Sequence, residues 1–313
     1  MLTGLTLLAI ALVTAIGIAL DMLFGEARRW HPLVGFGNLA ACVEEKMNSG
    51  NVQFARGVLA WGVVVLPFSF AAWALTTWLA GWNVIAALAA HTLLLYFSLG
   101  LRSLREHSLP IARALAAGDL AQARLLTARI VSRDTARAEE PDLAKAGVES
   151  LLENGNDAVF GTLFWFVVAG GPGALFFRLA NTLDAMWGYR TPRFLAFGCA
   201  AARMDDVLNF IPARLTALSY ALLGNTRQAW HCWRTQASLW SSPNAGPVMS
   251  AGAGALDISL GGDAVYDGEV EQRPVLGAGP AVSGADIPRA WRLVASTTAL
   301  WVGILCIAGV FLA

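Results

Sequence analysis

Long uncharged apolar runs alternate with arginine-rich segments along the 313 residues. Leu2 to Leu20 carries no charge before Asp21, and Val58–Ala80, Val84–Gly100 and Leu293–Ala313 repeat the pattern. Each comes near the ~20 apolar residues that take a helix across a bilayer core, which predicts transmembrane helices at 2–20, 58–80, 84–100 and 293–312. The first run has neither a basic leader nor a small-residue cleavage site, so it reads as a retained anchor. Only Gly81-Trp82-Asn83 separates the second run from the third, making a helical hairpin. Trp73, Trp78 and Trp82 gather toward its turn, as indoles do at a membrane interface. Two further stretches are ambiguous. Residues 158–177 are interrupted by Gly170-Gly171-Pro172-Gly173, and residues 207–223 carry Pro212 and Arg214 near their middle. Both read as membrane-dipping or buried helices.

The segments between the runs are structured. Residues 101–154 follow a helical Ala/Leu/Arg pattern broken at Gly118-Asp119 and at Glu140-Pro141-Asp142, whereas 224–292 is rich in Gly and Pro, with a turn signal at Tyr266-Asp267-Gly268. Little strand pattern is present. The expected fold is all-α: a polytopic integral membrane protein forming a single membrane-embedded domain over 1–313. Arginine and lysine concentrate in 21–56 and 101–157. By the positive-inside tendency, these loops and 178–292 are expected on the cytoplasmic side, with both termini outside if four helices cross.

Composition supports this reading. The chain is 56% hydrophobic and 14% charged, with a mean hydropathy of +0.55, against roughly 25% charged residues in soluble domains. A net charge of zero gives no basis for nucleic-acid binding. Of 22 basic residues only Lys46 and Lys145 are lysine. Arginine presents a planar donor fork suited to carboxylate and phosphate, although a genomic bias toward arginine would produce the same count. Cys42, Cys199, Cys232 and Cys306 lack a C-x-x-C pair, and His31, His91, His107 and His231 lack metal-site spacing.

Three stretches concentrate polar chemistry. In residues 148–165, Glu149, Glu153 and Asp157 are spaced by four and would share one stripe of a continuous helix. They are either a solvated face or a set of hard oxygen ligands suited to Mg²⁺. In residues 181–189 and 203–216, Asp184, Asp205, Asp206 and Asn209 stand among Arg203 and Arg214 in an apolar setting, forming either an ion-pair network between helices or a ligand site. In residues 241–256, a small-residue turn around Pro243 and Gly246 opens a helix; it is either an ordinary connection or a phosphate cradle. Arg28-Arg29-Trp30-His31-Pro32, a stop-transfer cluster or binding residues, and Ile130–Thr135, with Arg133 and Asp134 beside hydroxyls, are lesser candidates. No P-loop, dinucleotide fingerprint, nucleophile elbow or kinase signature occurs.

Eight of these pieces occur in the order found in one family: LDMLFGEARRWHPLVGFGN (20–38), IVSRDTA (130–136), KAGVESLLENGNDAVFGTLFW (145–165), NTLDAMWGYR (181–190), ARMDDVLNFIPARLTAL (202–218), SPNAGPVMSAGAGAL (242–256), a Y-x-G turn (266–268) and IPRA (287–290). The chain thereby resembles the CobD/CbiB family of cobalamin-biosynthesis proteins, the adenosylcobinamide-phosphate synthases. It departs from the family's usual pattern at Gly25-Glu26-Ala27, Ser132-Arg133-Asp134, Ala158 and Ser241, leaving open a diverged, non-catalytic AmpE-like membrane regulator. A transporter, which would be expected to show inverted repeats, is a third alternative; no such repeat is visible in the sequence.

The resemblance implies an ATP- and Mg²⁺-dependent amide ligase of the bacterial inner membrane, its site facing the cytoplasm. It would join aminopropanol, or its phosphate, to a propionate of adenosylcobyric acid, with other corrin-pathway membrane enzymes as expected partners. On this basis Glu149 and Asp157 are the candidate catalytic bases, and Asp184, Asp205 and Asp206 the candidate Mg²⁺ ligands. Arg133, Asn154, Asn181, Tyr189, Arg203, Asn209, Arg214, Ser242, Asn244 and Gly246 are the candidate substrate- and phosphate-binding residues.

Overall fold

The computed structural model describes residues 4–26, 31–266 and 268–312. Arg28, Arg29 and Trp30 of the basic cluster, and Asp267 of the turn, lie outside the described residues. The chain is predominantly helical, and five helices are long and apolar enough to cross a membrane: Leu7–Phe24, Gln53–Trp82, Val84–Ala116, Glu140–Trp187 and Asp286–Phe311. Four of them carry most of each of the four uncharged runs. The fifth takes in the ambiguous stretch 158–177, so its glycines and proline bend a helix rather than end one.

Read from the sequence as one membrane-embedded domain, the chain divides into two compact units. The first comprises 1–100, 157–209 and 302–313; the second comprises 101–156 and 210–301.

The first unit is built from α1 (Leu7–Phe24), α2 (Pro32–Met47), α3 (Gln53–Trp82), α4 (Val84–Ser98), a π-helical turn (Asn156–Phe160), α8 (Gly161–Trp187) and the first half of α9 (Cys199–Leu223). Helix α8 packs on α3 and α4, and α1 packs on α4. The core joins Phe36 of α2, Trp61, Val64 and Val65 of α3, Phe177, Leu183 and Trp187 of α8, and Leu208 of α9. Opposite that core, Leu12, Ile16, Val63, Leu66, Phe70 and Trp82 are exposed. An apolar exterior on long helices suits acyl chains as solvent.

Helix α8 is kinked at Ala169-Gly170, where Gly170 has φ 66° and ψ −157°. A side chain is strongly disfavoured there. The kink frees backbone donors, and the N–H of Gly171 donates to Nδ1 of buried His91 on α4 at 2.9 Å. His91 thus satisfies a polar group that lipid could not.

The second unit contains α5 (Leu101–Ala116), α6 (Leu120–Thr127), α7 (Glu140–Gly155), the second half of α9, α10 (Thr226–Gln236), α11 (Ala245–Leu256) and most of α12 (Asp286–Phe311). Every residue of α11 is buried, against α10 and α7 among others. Its Gly and Ala residues permit this closeness: a Cβ on Gly254 would stand 2.6 Å from the Cα of Ala229. The Gly/Pro-rich segment holds short strands where little strand pattern was visible. Strand β1 (Ser259–Gly261) pairs antiparallel with β4 (Val275–Gly277), and β2 (Ala264–Tyr266) with β3 (Glu269–Glu271).

Replacing Gly170 by Ala is expected to cost about 1–3 kcal/mol, the scale of a strained backbone position, read as earlier thermal unfolding in detergent. Gly303→Ala on α12, where a Cβ meets nothing within 4 Å, is the control and should leave unfolding unchanged or slightly later.

Candidate functional site

The first unit gathers the acids around Asp205. Helix α9 places Asp205 and Asn209 one turn apart, and α8 supplies Asn181. Asn181 Nδ2 donates to one oxygen of Asp205 at 3.1 Å, and Asn209 Nδ2 to the other at 3.0 Å. Asp205 is only 8% exposed. These partners are neutral amides, and the expected ion pair of Asp205 with Arg203 is absent among the described residues. Burial, and secondarily the neighbouring Asp157 carboxylate, push the Asp205 pKa up to about 7, against the amide hydrogen bonds that favour its anion. Asp206 is also raised, chiefly by burial, although Arg203 and Arg190 act to lower it.

Asp157 does not continue the stripe of Glu149 and Glu153. Helix α7 stops at Gly155, and the π-helical turn that follows carries Asp157; such turns shift register and are frequent at functional sites. Asp184, half-buried on α8, lies over Gly188, where a Cβ would be 2.0 Å from its Oδ1. Tyr189 and Arg203 are exposed. Among the described residues no three His, Cys, Asp or Glu side chains are spaced to hold a metal ion directly. The donor set still suits Mg²⁺, which commonly takes one or two carboxylates and keeps waters or phosphate oxygens on its other positions.

The second unit holds two arrangements. Glu149, 3% exposed, accepts from Arg133, from both Nη atoms of Arg273 at 3.3 Å and from the N–H of Gly261 at 2.8 Å. It ties α7, the 130–136 segment and β1 together. Arg273 was not among the sequence candidates; only its position in a Gly/Pro-rich segment could have drawn notice. A carboxylate whose oxygens already accept from two guanidinium groups and a backbone N–H has little room for a substrate, and Arg133, engaged on it, is poorly placed to bind phosphate. Both residues are therefore better explained as structural. Asn154 bonds back to Ser150 at 2.9 Å on its own helix.

The other arrangement is the S-P-N-A-G turn. Ser242 Oγ accepts from the N–H groups of Asn244 and Ala245 at 3.3 and 3.1 Å, so the helix start is capped from within. Gly246 is required, since a Cβ would stand 2.3 Å from the carbonyl oxygen of Ala237. Arg214 donates to Asn244 Oδ1 at 2.8 Å, to the Pro243 carbonyl at 3.0 Å and to the Phe210 carbonyl at 2.9 Å, and its guanidinium stacks 3.7 Å over the Phe210 ring. Among the described residues its hydrogen bonds end on neutral oxygens. Cys42, Cys199, Cys232 and Cys306 are free thiols.

The CobD/Cbib protein family matches residues 14–294, a span that includes both arrangements and the acid cluster. The chain belongs to this family. Among CobD/Cbib relatives, cobalamin biosynthesis protein CobD of Stutzerimonas stutzeri is 54% identical over 93% of this chain and 95% of its own length. The protein of the same name from Chromobacterium violaceum is 51% identical over 96% and 97%. That from Mycobacterium tuberculosis is 39% identical over 88% of each chain. No solved structure matches the chain.

Two outcomes are expected. A folded-state pKa raised above the unfolded value of 3.8 means that stability falls as pH rises between 3.8 and about 7. Without divalent cations, unfolding should therefore come earlier as pH approaches neutrality. Asp205→Asn should flatten that dependence, and Mg²⁺ should delay unfolding of the unsubstituted protein but not of the variant. Separately, Glu149→Ala leaves Arg133 and Arg273 buried without their anion and should cost about 3–5 kcal/mol, read as loss of folded protein or a lower unfolding temperature.

Proposed function

We propose that this chain acts in cobalamin biosynthesis as an amide ligase, joining aminopropanol or its phosphate to a propionate carboxylate of adenosylcobyric acid, with ATP and Mg²⁺. Family membership supports the pathway. The observation that carries the chemistry is the buried Asp205 carboxylate, held by two amides among other acids, which favours a bound cation. Within the first unit, Asp205 with Asp184 or Asp206 would hold Mg²⁺, which lowers the cost of charge on a transferring phosphoryl group. Asp157 is the remaining candidate to take the proton from the incoming ammonium, since Glu149 is committed to arginines.

In the second unit, Arg214 is positioned by the Ser242–Gly246 turn to bind a phosphate. Asn244 and the Pro243 carbonyl hold the guanidinium flat against Phe210, which limits the conformational freedom it would lose on binding. Amide synthesis from a free carboxylate needs an activated acyl oxygen, and ATP supplies it. A cytoplasmic site in the inner membrane fits the arginine-rich segments, and other corrin-pathway membrane enzymes are candidate neighbours.

The test is purified full-length protein in lipid, supplied with adenosylcobyric acid, aminopropanol phosphate and Mg-ATP, with mass spectrometry for the amide. Asp205→Asn and Arg214→Gln should each lower turnover by about 100-fold or more, the scale of losing one charged group at a transition state. Absence of amide, or amide formed equally well without ATP, would remove the ligase reading. An AmpE-like regulator would give no product with any variant.

A further inference from the structure

We infer that the segment 207–223 of α9 is embedded among lipid acyl chains, with Val207, Ile211, Leu215, Leu218 and Leu222 facing them. Composition alone does not mark α9 as a crossing helix, because Arg203, Asp205, Asp206 and Arg214 dilute its apolar character. Its two sides nevertheless differ sharply. At 100° per residue the five apolar positions fall within an arc of about 80°, and they extend about 22 Å along the axis. All five are between 38% and 70% exposed. The opposite side buries Asn209, Ala213, Thr216, Ala217 and Tyr220.

An exposed apolar stripe by itself does not say what covers it. Two hydrogen bonds set its surroundings. Trp165, in the candidate span Glu140–Trp187, donates through Nε1 to the Leu208 carbonyl at 3.0 Å within the first unit. Trp301, in the candidate span Asp286–Phe311, donates through Nε1 to Ser219 Oγ at 2.9 Å within the second. Residues 208 and 219 therefore each lie beside a helix long and apolar enough to cross a membrane. A water-filled groove would not suit that stripe, and acyl chains would.

Arg214 is the one charge within the segment, and its hydrogen bonds to two carbonyls and an amide oxygen allow it to persist at a lipid boundary. The inference does not depend on the ligase reading.

The test places nitroxide labels one at a time at Ile211, Leu215, Leu218 and Leu222 of the full chain in phospholipid vesicles. Cys42, Cys199 and Cys306 would be replaced by Ser. Cys232 can stay, being buried with its thiol pKa raised by that burial. Collision rates with dissolved oxygen and with a water-soluble nickel chelate are compared with those at exposed Thr235, buried Ala217 and exposed Ile304 of α12. Oxygen-to-nickel ratios several-fold above Thr235 and equal to Ile304 are expected. Nickel access like that of Thr235 would show an aqueous surface, and low access to both reagents, as at Ala217, would show protein or a second copy covering the stripe. Either result overturns the inference.

Discussion

Charge in an apolar helical protein persists only where a neighbour holds it, and three charges here are held in three ways. Glu149 is held by opposite charge, between Arg133 and Arg273. Arg214 is held by carbonyl and amide oxygens together with an aromatic face. Asp205 is held by two neutral amides beside other acids. The first arrangement is electrically complete and works as a brace. The second and third are hydrogen-bonded to neutral groups among the described residues, which suits them as candidates to meet an anion and a cation respectively. That difference, rather than the presence of acids and arginines as such, is what makes Arg214 and Asp205 the candidate binding groups and Glu149 a brace.

The same constraint shapes the backbone. Lipid offers no partner for a freed N–H, so an interrupted helix needs a substitute within the protein. At the α8 kink His91 provides it. Between α7 and α8 the chain widens into a π-helical turn instead of breaking, which keeps the helical path and carries Asp157 away from the Glu149 stripe. An apparent row of three carboxylates thus becomes two separate assignments, one structural and one a candidate base.

Family membership and the predominantly helical membrane character were legible in the residues. So were Asp205, Asn181, Asn209 and the Ser242–Gly246 turn, because a polar group in an apolar stretch stands out. Arg273 did not stand out, since in a Gly- and Pro-rich segment an arginine looks like ordinary loop charge. Glu149 stood out by its spacing and Arg133 by its neighbouring hydroxyls, and neither feature tells a group awaiting a ligand from one already paired.

The linear order of residues determined where apolar runs long enough for a bilayer occur, and which stretches carry concentrated acid and arginine, because both depend on composition over a short window. Which acid meets which partner was decided only in three dimensions. Glu149 reaches Arg273 across 124 positions, and Arg214 reaches Asn244 across 30. No local pattern encodes such pairings, since they arise from how helices pack and where one of them bends.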